Sequence, residues 1–314
     1  MAGRLKSLER GLRGSRDRLL RWLFSGRRGH KLVLDALSHD ITAITMDCGD
    51  HVISFSPKEL VGRHLYVKGH FDRDRVEALL GMLEGAGRIP AGGATVLDIG
   101  ANIGTQSVYF AKSGKVARVL AIEPDPRNLA LLRRNVAENR LEAIVTVIPL
   151  AIADFEGTAQ LFRKAGNHGE SSLLPGAHDE TPVDIVVRPL GPVLADAGIA
   201  EDAVDLVWMD IEGAEPMACR SMEALLSRGV PLMMEFSPAL YGENESREFV
   251  AFLAGFYGRA IVFDRAGHRE IAPAEIPLTG RQFDVLLIGQ AATAQPIIPA
   301  NLSSVDSMAM SPVP

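Results

Sequence analysis

The sequence predicts an α/β protein with a doubly wound, seven-stranded, mostly parallel Rossmann-like sheet and a small N-terminal addition. Three observations predict it. Short apolar runs alternate with longer helical stretches from residue 95 to residue 288, the pattern of strands joined by crossover helices. Val96-Leu97-Asp98-Ile99-Gly100-Ala101-Asn102-Ile103-Gly104 reads as a buried strand, a glycine turn and the start of a helix. Arg118-Val119-Leu120-Ala121-Ile122-Glu123-Pro124 reads as the next strand, ending in an acid and a proline.

The chain has 314 residues, enough for one large α/β domain with additions or for two domains. Its 47% hydrophobic and 23% charged residues are ordinary for a globular protein. Residues 1–30 form a first segment, in which leucines recur at roughly helical spacing among arginines. Such a basic amphipathic segment suits an anionic membrane surface or a partner protein. Gly11, Gly14 and Gly26 weaken a continuous helix, so a leader packed on the core or a disordered tail is the competing reading. Residues 31–90 read as an accessory unit, with a half-buried strand at His51–Ser56 and a helix from Asp72 to Leu83. The glycines of residues 85–93, with Pro90 among them, mark a boundary.

The main domain is expected over 91–290. Strands are predicted near 95–99, 118–122, 144–148, 204–209, 230–235, 260–263 and 283–288. Helices are predicted near 104–112, 127–139, 214–228 and 245–256. Residues 163–182 interrupt the pattern with a polar insertion, whose length suits a substrate loop. Residues 291–314 read as a disordered tail.

Charge and cysteine content exclude several classes. Residues 1–31 carry ten basic and two acidic residues, while the remainder carries a net charge of −14. An acidic body argues against a nucleic-acid partner, because phosphate backbones need a basic footprint. Two widely separated cysteines give neither a disulfide framework nor a zinc pattern, and no metal site is expected. No apolar run approaches a membrane span, and no secretory signal is evident, so the expected location is cytoplasmic.

The glycine turn lies where open α/β sheets bind nucleotides, at the carboxyl end of a strand and the start of a helix. Its spacing is G-x-x-x-G preceded by Asp98, not the G-x-G-x-x-G of a dinucleotide site. S-adenosyl-L-methionine (SAM) fits better, because it carries an ammonium and a sulfonium and has no pyrophosphate. Asp98 is expected near the ammonium, with Gly100 and Gly104 shaping the loop and Asn102 bonding the loop or the ligand carboxylate. Glu123, about twenty residues on, is placed to accept from the ribose hydroxyls. Asp154 is either an acceptor for the adenine amino group or a turn residue. An NAD-type oxidoreductase and a non-catalytic SAM-fold binding module are the rival readings.

Asp98–Gly104, Glu123-Pro124, Ala151-Ile152-Ala153-Asp154 with Gly157-Thr158-Ala159, and Asp210-Ile211-Glu212-Gly213-Ala214-Glu215 together resemble the FkbM family of SAM-dependent methyltransferases. The resemblance covers residues 94–240. It implies a class I methyltransferase fold with an antiparallel last strand, and methylation of hydroxyls on sugars, glycolipids or secondary metabolites. Many members have Lys two positions before the Asp of D-x-E-G-x-E, where this chain has Trp208.

O-methylation needs a base or a metal, because a neutral hydroxyl is a poor nucleophile. Asp210 and Glu212 follow a buried strand and so lie at the mouth of the expected site. Two adjacent carboxylates push one pKa upward. Asp210 is the first candidate for the base and Glu212 the second, with His168 in the polar insertion as a rival. Glu215 reads as a first-turn helix acid. Glu235, ending the next strand, is placed to face the same cleft. Trp208 and Tyr241 are candidates to stack on a sugar face. The acceptor is expected to be a small molecule or a glycan.

Overall fold

The structure is a computed structural model. It describes residues 22–24, 26–164, 171–175, 181–264 and 267–289. Most of the basic N-terminal segment, His168 and the tail after residue 290 lie outside these residues. By contacts the chain divides into two compact units, Met1–Phe71 and Asp72–Pro314.

The first unit contains helix α1 (Arg27–Leu37), the antiparallel hairpin β1 (Ile44–Asp47) and β2 (Val52–Phe55), and helix α2 (Leu60–Lys68). Leu34, Ile53, Phe55 and Leu65 are fully buried within it. Gly62 allows α2 to approach Phe55, since a Cβ there would lie 2.6 Å from the Phe55 ring.

The second unit opens with helix α3 (Arg73–Gly85) and strand β3 (Ala94–Ile99). Helix α4 (Thr105–Lys112), β4 (Val116–Ile122), α5 (Pro126–Glu138) and β5 (Val145–Ile148) follow. Next come β6 (Ala151–Ile152), β7 (Gly157–Leu161), β8 (Val183–Arg188) and α6 (Leu190–Asp196). The second half of the unit runs β9 (Leu206–Met209), α7 (Glu215–Arg220), α8 (Glu223–Ser227) and β10 (Leu232–Phe236). It ends with α9 (Pro238–Tyr241), α10 (Glu243–Ala254), β11 (Arg259–Asp264), β12 (Gly267–Ile271) and β13 (Phe283–Ile288).

The central sheet has the order β12-β11-β13-β10-β9-β3-β4-β5. The run β10-β9-β3-β4-β5 is parallel, and β13 lies antiparallel between β10 and β11. The seven expected strands are all present, with the last one antiparallel. The sheet nevertheless has eight strands, because β12 pairs with β11 as an edge hairpin. Its residues, Gly267-His268-Arg269-Glu270-Ile271, are largely exposed and carry no apolar alternation, so nothing in their pattern marks a strand.

Two further differences have local causes. The helix expected over 214–228 is two helices, α7 and α8. At the break the Ser221 hydroxyl donates to the Ala218 carbonyl at 2.8 Å, competing with the helical ladder. Residues 151–188 contribute a separate three-stranded sheet, ordered β6-β8-β7. Its signal was present in Val183-Asp184-Ile185-Val186-Val187-Arg188, where Ile185 and Val187 are buried and their neighbours are not.

The sheet is covered on both faces. Leu97, Ile99, Leu120, Ile122, Val207, Met209, Leu232 and Met234 pack in one cluster with residues of α6, α8 and α10. Alternate residues point the other way, and there Trp208 meets Phe110 of α4 edge-on at 5.8 Å.

Two glycines show how tightly the carboxyl edge of the sheet is built. Gly100 follows β3 with φ +87°, and a Cβ on it would lie 1.9 Å from the Asp210 carbonyl oxygen. Gly198 has a similar φ of +66° but faces open space. Gly100→Ala therefore carries both backbone strain and a clash, about 2–5 kcal/mol of lost stability. Gly198→Ala carries strain alone, about 1 kcal/mol. Urea unfolding of the two variants checks this, and equal losses would contradict the close approach at Gly100.

Candidate active site

The glycine loop is anchored by backbone. The Gly100 and Ala101 N–H groups both donate to the Ile122 carbonyl, at 2.9 and 3.0 Å, so the loop folds onto the end of β4. Gly104 takes φ +86° at the start of α4, where a Cβ would meet the Leu132 side chain at 2.4 Å. Asn135 of α5 donates to the Ile103 carbonyl at 2.7 Å and closes the loop from the far side.

Two buried acids sit in this frame. Asp98 is 1% exposed and accepts from the Ser107 hydroxyl of α4 at 2.5 Å. Burial raises its pKa to about 7, and the Ser107 bonds only partly offset that. Glu123 at the end of β4 is also buried, with a pKa raised to about 7 by burial. One of its oxygens accepts from the Asn102 N–H at 2.9 Å and the other from the Asp125 N–H at 2.8 Å. Glu123 therefore ties the glycine loop to the turn that starts α5. It is the Asn102 backbone, held at φ +50°, that makes this contact. Asp125 caps α5 through the Arg127 N–H and pairs with Arg163 at 2.8 Å.

Asp154 is placed differently. Its carboxylate pairs with Arg220 at 2.7 Å, and Arg220 also reaches Glu245. The Asp98–Glu123 network does not include it.

The second half of the site lies after β9 and β10. Asp210, Glu212 and Glu235 each place a carboxylate oxygen within 4.8 Å of the others. This spacing suits a shared proton or a divalent cation. Asp210 opens to solvent, while the protein walls around it still crowd out water. That desolvation comes first in raising its pKa, followed by the nearby charges of Glu215, Asp284 and Asp72, with Arg75 opposing. Glu235 is raised well above the usual carboxylate range by burial and then by Asp210, Glu212 and Asp284. Glu212 takes a left-handed conformation, φ +50°, and its carbonyl accepts from the Ser172 hydroxyl at 2.5 Å. Arg75 pairs with Asp284 and lies 3.7 Å from Asp72.

Glu215 is not simply a helix-start acid. It is fully buried, and its two oxygens accept the Ile211 N–H at 3.0 Å and the Gly213 N–H at 2.9 Å. Tyr241 donates to it at 2.8 Å. Neither aromatic expected at a sugar face is free to serve there. Trp208 is 6% exposed in the core, and the Tyr241 ring packs with Phe236 and Phe249 while its hydroxyl donates to Glu215. His168 lies outside the described residues. Among those residues, no helix is long and apolar enough to cross a membrane.

A doubly wound sheet with a glycine loop after its central strand, and acids at the ends of the two adjoining strands, is the architecture of a class I methyltransferase. Residues 98–263 match the Methyltransferase FkbM domain, which is more than half of the chain. The chain belongs to the FkbM methyltransferase family, an enzyme family whose cofactor is SAM. It is similar to 2-O-methyltransferase NoeI of Sinorhizobium fredii, 28% identical over 137 residues, covering 38% of this chain and 54% of that protein. It is also similar to Methyltransferase sdnD of Sordaria araneosa, 28% identical over 149 residues, covering 38% and 57%. The chain thus spans a little over half the length of these curated relatives. A solved FkbM methyltransferase from Methylobacillus flagellatus aligns with a TM-score of 0.42 at 18% identity, covering 81% of this chain and 57% of that one.

The donor set fits SAM. A cation beside Asp98, and hydroxyl donors to Glu123, both favour the ionised carboxylates. Because their folded pKa values lie above the ordinary ones, these two acids stabilise the free protein most at low pH. That contribution is lost as pH rises from about 4 through about 7. Ligand binding near neutrality should therefore release protons, and SAM affinity should rise between about pH 6 and pH 8. Isothermal titration in two buffers of different ionisation enthalpy measures the release, and Asp98→Asn should reduce it. A pH-independent affinity with a buffer-independent enthalpy would refute the assignment.

Proposed function

We propose that this protein is an O-methyltransferase that moves the methyl group of SAM to a hydroxyl of a sugar, a glycan or a hydroxylated small molecule. The observation that carries the reading is the Asp210–Glu212–Glu235 cluster, whose turn touches the glycine loop at Gly100. The relative NoeI, named a 2-O-methyltransferase, supports a hydroxyl acceptor.

SAM supplies an activated methyl group on its sulfonium. In this reading Asp98 faces the ammonium end, the glycine loop shapes the cradle, and Glu123 takes the ribose hydroxyls. Asp154 stands as a candidate for the adenine amino group only where Arg220 releases it. The acceptor hydroxyl meets the carboxylates of the second loop. The Asp210 carboxylate, its pKa raised to about 8, is a stronger base than an ordinary one, and its ionised fraction grows as pH rises through that value. Asp210 takes the proton, and Glu212 and Glu235 hold the acceptor and keep the proton affinity of the cluster high. The rest of the acceleration comes from holding the acceptor oxygen in line with the methyl group. Trp208 puts an apolar ring where many family members have an amine, so the chemistry in this chain is assigned to carboxylates.

Asp210→Asn should lower kcat by about 10²–10⁴-fold while SAM affinity stays near that of the parent. The assay is S-adenosylhomocysteine release with a panel of methyl glycosides and phenolic glycosides. A fully active variant would reject the catalytic role of Asp210. Dialysis against a chelator separates base from metal ligand. Retained turnover supports a carboxylate base, and loss reversed by Mg²⁺ would reassign the cluster to a cation.

A further inference from the structure

We propose that Glu215 and Tyr241 are positioning residues that lock the turn bearing the Asp210 and Glu212 carboxylates to the end of the strand bearing that of Glu235. The inference rests on the reading of that cluster as the acceptor site.

The two segments come from neighbouring strands. Asp210 to Gly213 follow β9, Glu235 and Phe236 end β10, and Ser237 follows it. The first is a strained turn, with Glu212 at φ +50° and Gly213 at φ +99°. The two amides flanking Glu212 are those of Ile211 and Gly213, and both are held by Glu215, one on each carboxylate oxygen. A buried carboxylate is costly unless donors satisfy it, and three do so here. The third donor is the Tyr241 hydroxyl. The same hydroxyl oxygen accepts the Ser237 N–H at 3.1 Å. Ser237 in turn donates to Glu235 at 3.5 Å. One hydroxyl thus joins the Asp210–Gly213 turn, through Glu215, to Ser237, the residue just past the end of β10, the strand that carries Glu235.

A helix-start acid would need none of this. The helix dipole acts on a carboxylate at the surface of the first turn. It does not call for full burial, for both flanking amides of a left-handed residue, or for a phenol linking a second loop. The ring of Tyr241 has its own support, edge-on to Phe236 at 5.2 Å and to Phe249 at 5.9 Å. Tyr241→Phe therefore keeps the packing and removes the hydroxyl alone.

The test combines amide hydrogen exchange with kinetics. In Tyr241→Phe the amides of Ile211 and Gly213 should exchange faster, while the melting temperature and SAM affinity stay close to the parent. Turnover of the glycoside panel should fall by about 10-fold or more, the scale of one lost hydrogen bond to a buried charge. Glu215→Gln keeps one acceptor oxygen in place of two, so it should expose at least one of the amides and lose more turnover. A structural role alone would lower melting temperature and SAM affinity together with kcat. Tyr241→Phe at full kcat, or with unchanged protection of both amides, would overturn the proposal even where Asp210→Asn is inactive. A fully active Asp210→Asn would instead remove the catalytic reading, with the exchange data still reporting whether the clasp exists.

Discussion

The carboxyl edge of the sheet depends on the pairing of β3 with β9. The two strands run parallel in register, with Ile99 opposite Met209. The Asp210 N–H then donates to the Ile99 carbonyl at 3.0 Å, so both strands leave the sheet at the same level. The next residues, Gly100 and Asp210, are in direct contact, which is why position 100 carries no side chain. One loop is the glycine turn, and the other carries Asp210 and Glu212 of the acidic cluster. Their proximity is set by strand order and needs no movement of distant parts. It follows from the rule that open α/β sheets bind ligands beyond the carboxyl ends of their strands, at the point where strand order reverses. Here β3 has β4 on one side and β9 on the other.

Buried acids organise both loops. Glu123 reaches from β4 to the Asn102 amide, and Glu215 reaches back from α7 to Ile211 and Gly213. In each case a carboxylate gathers backbone N–H groups of a turn that contains a non-glycine residue at positive φ, Asn102 in one and Glu212 in the other. Left-handed conformations at such residues carry a strain of about 1–3 kcal/mol, and persist where surrounding bonds over-determine them. The acids provide that constraint. Asp98 differs, since it is held by the hydroxyl and the backbone N–H of Ser107 in α4. Burial raises its pKa to about 7, so a cation placed beside it would favour the ionised form.

The parallel strands were legible in the sequence because buried strands read as unbroken apolar runs, as in Val207-Trp208-Met209 and Leu232-Met233-Met234. The glycine loop and Glu123 were legible because their spacing is dictated by the turn and by the next strand. The edge strand β12 was not, since an exposed strand needs no apolar residues. The function of Glu215 was hidden for a different reason. Its position at the start of α7 satisfies a local rule, and the local rule gives no hint that the side chain folds back under the preceding turn. Tyr241 lies 26 residues further on, and no periodicity connects the two. The chemistry-bearing types were visible at Asp210, Glu212 and Glu235, while the bonds that set their spacing are tertiary.

The charge balance at the mouth bears on what the acceptor can be. Arg75 lies against Asp284 and near Asp72, and its positive charge only partly opposes the upward pKa shift of Asp210. Asp210, Glu212 and Glu235 still form an acidic patch, in which desolvation comes first in raising the Asp210 and Glu235 pKa values, followed by the charges of neighbouring acids, Glu215 and Asp284 among them for both. A phosphate-bearing acceptor brought to this patch would meet like charges at short range in a partly desolvated site, where such repulsion is strong. A neutral polyol meets carboxylate acceptors for its hydroxyls instead. Beside them, Leu174 and Leu240 close on the place where a Cβ at Gly213 would stand, and Leu240 is 47% exposed. The turn therefore offers acceptor oxygens on one side and an apolar surface on the other. In the proposed reading of this site, that combination suits an uncharged hydroxylated acceptor with an apolar face of its own better than a charged one.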